Sequence, residues 1–90
     1  MPQAIADPEE LKRFASLLRQ FNTDLVDRTN AMAGQLESLS VTWRDQENKK
    51  FVEQFTEQLK GINRLVEVND AYIPFLVRKA ARLEEYLQQR

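Results

Sequence analysis

Glu53 and Glu57 stand one helical turn apart, the spacing at which two carboxylates can share a cation or divide acid and base roles. Nothing else in the chain completes such a site. There is no His, so the Glu-x-x-His ligand set of diiron helix bundles is missing, as are the commonest general base and transition-metal ligand. There is no Cys, which removes thiolate ligation and disulfides. With Lys49, Lys50 and Lys60 nearby, the two carboxylates read as part of a solvated outer face. Asp24 and Arg28, also one turn apart, read the same way. Ser16, Ser38 and Ser40 have no His or Lys arranged to activate a nucleophile. Arg78, Lys79 and Arg82 cluster toward the end of the second half, where positive charge suits the end of a helix dipole; an acidic or phosphate-bearing partner is the other reading. Two Gly are too few for a phosphate-cradling loop. The residues therefore assign no catalytic, cofactor-binding or metal-ligating position, and the chain is expected not to be an enzyme.

Ninety residues suggest one domain, and a chain this short is marginal unless something else supports it. Charged residues make up 30% yet the net charge is −1, a balance unlike that of a basic nucleic-acid binder. No apolar run approaches the roughly 20 residues of a membrane span. Met1-Pro2-Gln3-Ala4-Ile5-Ala6-Asp7 has neither a basic n-region nor an apolar h-region. The expectation is synthesis in the cytoplasm without a cleaved signal peptide, any export using another route.

The elements that carry these residues are two long amphipathic stretches. Residues 1–6 read as a lead-in. Asp7-Pro8-Glu9-Glu10 is a helix start: a capping Asp, Pro at the first helical position, two acids at the positive end of the dipole, and Glu10 placed to complete a capping box. Leu11, Leu18, Leu25, Met32 and Leu39 then recur every seven residues. Phe14 and Phe21 interleave with the first three, an a/d seam that weakens where Arg28 and Gln35 follow and Leu36 takes over. Helix one is predicted over about 7–39 and a turn over about 40–45. Helix two is predicted over about 46–88, with Asp45 or Thr42 as its cap. Along it Val52, Phe55, Leu59, Ile62, Val66, Asn69, Ile73, Leu76, Ala80, Leu83 and Leu87 keep an alternating 3-4 spacing. Asn69 either sets register or partner number, or lies near solvent. Pro74 breaks one backbone hydrogen bond while the spacing runs through it in phase, which predicts a kinked helix near Pro74 and not two separate ones.

Beside this seam runs a second apolar line, Leu65, Val68, Tyr72 and Phe75, each one residue before a seam position. A single partner helix covers only a narrow stripe. The extra arc must face a second surface or remain exposed as a patch. The fold class predicted is all-α: an antiparallel hairpin of two long helices, dimerising into a four-helix bundle.

The turn carries the lone Trp of the chain, Trp43. Its length, its two amphipathic helices and this Trp make the chain similar to the Trp-x-Gly (WxG) proteins of type VII secretion, the ESAT-like helical hairpins. Trp43 fills the Trp slot. Phe51 stands eight residues later, where the family begins the apolar face of its second helix, and Leu36 and Leu39 match the apolar positions before the turn. Asp45 holds the Gly slot, so the motif reads Trp-Arg-Asp; Asp can cap a helix and tolerate a tight turn. The family's export signal pairs Tyr with an acid four residues on, whereas Tyr86 is followed by Arg90 and Tyr72 by Leu76. The resemblance implies a homodimer or a heterodimer with a similar hairpin, and a secreted or co-secreted partner or adaptor that meets the secretion machinery. Trp43 would plug the open end of the hairpin and add to a recognised surface. A cytoplasmic coiled-coil adaptor without a secretion role is the alternative.

Overall fold

The computed structural model describes residues 6–89. The lead-in at 1–5 and Arg90, with the leader and tail readings that fall on them, lie outside the described residues. Two helices make up the structure: α1, Pro8–Thr42, and α2, Gln46–Gln88. Among the described residues there is no strand. The helices pack antiparallel into a rod of 69 × 16 × 16 Å.

Both helix starts follow from their caps. The Asp7 carboxylate accepts from the Glu9 N–H at 2.9 Å, and its carbonyl opens the helical ladder by accepting from Leu11. Glu10 carries its carboxylate to Arg13, an i,i+3 ion pair on the outer face, not back to the cap. The Asp45 carboxylate accepts from the Asn48 N–H at 3.1 Å, so Asp45 and not Thr42 caps α2. Helix α1 runs three residues beyond the predicted 39, because Val41 and Thr42 continue the ladder and the Trp43 N–H closes it on the Leu39 carbonyl at 2.9 Å. The turn is therefore only Trp43-Arg44-Asp45. Helix α2 is continuous through Pro74. Pro74 is exposed, so the carbonyl that it cannot serve lies toward water.

The seam of α1 differs from the predicted one. Leu11, Leu18 and Leu25 do face α2, half-buried, but the positions between them are Ala15 and Asn22, both buried. Phe14 and Phe21 are 55% and 49% exposed, and Met32 and Leu39 are similarly open. The seam continues through Thr29, Ala33, Leu36 and Ser40. Small residues win because the helices approach closely at this end. Ala15 and Ala80 are 2% and 0% exposed, at matching heights of the hairpin. A phenyl ring between them would force the helices apart. On α2, Val52, Phe55, Leu59, Ile62, Val66, Asn69, Leu76, Leu83 and Leu87 are half-buried, with Ile73 and Ala80 buried.

A polar clamp fixes the register at mid-rod. The Asn22 amide donates to the Asp70 carboxylate at 2.7 Å and to the Val66 carbonyl at 3.4 Å, and accepts from the Asn69 amide at 3.0 Å. Slipping either helix by one turn would leave the buried Asn22 amide unpaired, at a cost of about 1–3 kcal/mol. Asn69 thus meets a specific partner within its own chain. Toward the turn, the buried Asn48 amide donates to the Ser40 hydroxyl at 3.2 Å. At the far end Lys12 reaches the Glu84 carboxylate at 2.7 Å, and that hydrogen bond raises the lysine above its ordinary value.

Gly34 lies on the outer side of α1, and a methyl group added there would meet nothing within 4 Å. Gly34→Ala is therefore expected to stabilise the hairpin by about 1 kcal/mol, read as a raised thermal midpoint. A lowered midpoint would show that the position is crowded.

Candidate interaction surface

In each helix the residue before a seam position lies about 100° back around the axis. Because α1 and α2 run antiparallel, these preceding residues fall on the same side of the hairpin for both. On α1 they include Phe14, Leu17, Phe21, Met32 and Leu39. On α2 they include Phe51, Leu65, Val68, Tyr72, Phe75 and Tyr86. Of the fourteen large apolar side chains left exposed among the described residues, these eleven occupy one side. The remaining three, Val26, Val41 and Val77, lie on the other side among charged and amide residues such as Arg19, Lys60, Glu67 and Asp70. The hairpin thus has one apolar and one polar side. An apolar surface running most of the length of the rod is far beyond the scattered apolar side chains of an ordinary solvated face.

The sequence reading named Leu65, Val68, Tyr72 and Phe75 for this surface. It placed Phe14, Phe21, Met32 and Leu39 in the seam and did not assign Leu17 or Tyr86 to this surface. The missing signal was the pairing of small with small. Ala80 in the seam of α2 asks for a small residue opposite it, and Ala15 supplies one that Phe14 does not.

Near the turn the surface is edged with aromatics. Trp43, half-buried, has its ring centroid 5.9 Å from that of Phe51, and Phe51 stacks on Phe55 at 5.6 Å. Beside them Met32, Gln35, Leu36, Leu39, Phe51 and Phe55 line a notch of about 180 Å³ that opens onto the apolar side. Arg44 donates to the Val41 carbonyl at 2.6 Å, which fixes the turn from outside. Trp43 thus packs on Phe51, which lines the notch.

Residues with chemical potential lie apart from this arrangement. Glu53 and Glu57 are exposed, and Glu57 pairs with Lys60 at 3.2 Å. Ser16 and Ser38 are exposed, and Ser40 accepts from Asn48. Arg78 and Arg82 are exposed and Lys79 half-buried, with Lys79 and Arg82 at the end of the apolar side nearest Phe14. Among the described residues, no group of three or more acidic side chains comes together as a cation would need. No helix there is long and apolar enough to cross a membrane.

The family described as proteins of 100 residues with WXG matches residues 3–86, nearly the whole chain. The chain belongs to the WXG100 family. No curated protein and no solved structure matches it. WXG100 membership implies a small helical protein of the type VII secretion class. Helical hairpins of this family typically pair as dimers.

The name calls for Gly where this chain has Asp45, and the turn shows why the exchange is tolerated. Asp45 sits at φ −89°, ψ −179°, ordinary extended backbone, and no described residue has a positive φ. The turn makes no demand that only Gly could meet. Asp45 adds the cap on α2, a contribution of typically about 1 kcal/mol that Gly supplies less fully.

Proposed function

We propose that this WXG100 chain acts by pairing its apolar side with another helical hairpin, and that it is secreted or co-secreted by a type VII route as a partner or adaptor. The observation that carries this reading is the division of the rod into one apolar and one polar side. A solitary hairpin would leave eleven large apolar side chains in water on one surface. A second hairpin laid on that side converts two helices into four, a bundle with an interior of its own. A long apolar surface of this kind suits a protein partner. The aromatic end formed by Trp43, Phe51 and Phe55 extends the surface toward the turn, where the secretion machinery would meet the paired hairpins.

Export is tested in the source cell. Deleting the secretion ATPase of the type VII system is expected to remove the protein from the medium and retain it inside. An unchanged level in the medium would overturn the secretion reading. Retention inside the cell with or without the ATPase would favour the cytoplasmic adaptor instead.

A further inference from the structure

The apolar line of α1 is thinnest in its middle. Its positions run Phe14, Leu17, Phe21, Asp24, Arg28, Met32, Gln35 and Leu39. Between Phe21 and Leu39, a rise of about 27 Å along the helix, Met32 is the only apolar member. It is 51% exposed, and with Leu36, Leu39, Phe51 and Phe55 it lines the notch beside the turn. On α1, a single side chain thus links Phe14, Leu17 and Phe21 to the aromatic end of the hairpin.

Met32 is also the one member of this line that mild chemistry can make polar. The two helices contain a single Met, and the chain has no Cys. A half-exposed thioether is open to a peroxide. The sulfur lone pair attacks one peroxide oxygen, the O–O bond breaks as the S–O bond forms, and the departing hydroxide takes up a proton and leaves as water. Sulfur gives up two electrons and the peroxide gains them. A strong acceptor then stands where the thioether was a weak one.

On the uncovered hairpin water satisfies the new oxygen. Under a second hairpin that water is lost, and Gln35 is the one side chain of the notch able to donate to it. Oxidation also makes four successive positions of the line polar, from Asp24 through Arg28 and Met32 to Gln35, which cuts the apolar surface of α1 in two. The contact between α1 and α2 is spared, because the seam here passes through Thr29, Ala33 and Leu36 on the neighbouring stripe.

We propose that Met32 is an oxidation site through which a peroxide releases this hairpin from its partner while its fold is kept. This rests on the reading of the apolar side as a hairpin-pairing surface and adds a control on it. Pairing and oxidation oppose each other: a covered sulfur is shielded, and an oxidised hairpin pairs poorly. Methionine sulfoxide reductases reverse the change.

The test treats the full chain with hydrogen peroxide and locates the added oxygen by peptide mass. Pairing is read by light scattering across a dilution series, and folding by circular dichroism. Helicity is expected to be unchanged and association to weaken by about 10-fold or more, the effect of covering an unsatisfied polar group. Treatment with the reductases is expected to restore it. Met32→Leu, which keeps Met1, is compared with itself before and after peroxide and is expected to show no difference. Equal pairing of oxidised and unoxidised wild type, or weakened pairing in treated Met32→Leu, would overturn the switch and leave the pairing surface standing. Helicity lost together with pairing would overturn it too, since Met32 would then support the hairpin itself. For a chain that stays single at every concentration, the readout is fluorescence of anilinonaphthalene sulfonate, a dye of exposed apolar surface. Signal lost on oxidation of wild type but not of Met32→Leu is then the expected result, and an unaltered signal would overturn the proposal.

Discussion

Ile73→Asp is expected to unfold the hairpin at room temperature. Ile73, 6% exposed, is the one large apolar side chain buried between the helices among the described residues; the other buried apolar residues are Ala15 and Ala80. The substitution removes the packing of a buried isoleucine and puts a carboxylate in its place without a cation to meet it. Loss of an Ile side chain costs about 2–5 kcal/mol, and the stranded charge adds to that. A small domain has only about 5 kcal/mol or slightly more to lose. Circular dichroism would show loss of helicity. Leu59→Asp and Ile62→Asp attack half-buried positions of the same seam and are expected to act in the same direction with smaller effect. A thermal midpoint for Ile73→Asp within about 2 °C of wild type, a shift of well under 1 kcal/mol, would contradict the assignment of the seam.

Phe75→Glu is expected to separate association from folding. Phe75 is 49% exposed in the hairpin, so its replacement removes little that the two helices share. Helicity is expected to be unchanged and thermal stability at low protein concentration to move by no more than about 0.5 kcal/mol. Binding to a second hairpin should weaken by about 100-fold or more, because an aromatic side chain of the apolar side becomes a desolvated charge. Val26→Glu, on the polar side, is the matched control and should alter neither quantity. Helicity lost together with association would mean that Phe75 supports the hairpin itself. Unaltered association would mean that the apolar side serves some other purpose.

The two mutations probe the two stripes of one helix, and these stripes were not equally easy to read. On α2 the 3-4 spacing from Val52 to Leu87 coincides with the side that faces α1, since that stripe is apolar along its length except at Asn69. On α1 two candidate stripes share Leu11, Leu18 and Leu25. One adds Phe14 and Phe21, the other Ala15 and Asn22. Apolarity alone favours the aromatics. Packing favours Ala15, since Ala80 lies at the same height and two close helices leave no room for a phenyl ring. Asn22 looks polar in the sequence and is buried because Asn69, Asp70 and the Val66 carbonyl satisfy its amide, a fact that needs both helices in place. Helix ends show the same contrast. Asp7-Pro8 announces its start locally, whereas Ser40-Val41-Thr42 has no Gly or Pro to mark where α1 stops. The turn itself was legible from Trp43 and Asp45, because a capping carboxylate acts within four residues of its own position.

The misplaced aromatics bear on function. Set between the helices, Phe14 and Phe21 would have left the apolar arc of α2 to stand alone. On the outside they join Leu17 and that arc to form one apolar surface, so the area left open to water belongs to the whole side and not to one helix. The measurement that tests this most directly is the solution mass of the purified chain across a dilution series, by light scattering. The expected result is a stable species of twice the chain's 10.6 kDa that falls to the single-chain mass only on strong dilution, with Phe75→Glu at the single-chain mass throughout. A soluble wild-type species of 10.6 kDa at every concentration, unaltered by Phe75→Glu, would contradict pairing of the chain with itself and leave the apolar side to a different hairpin.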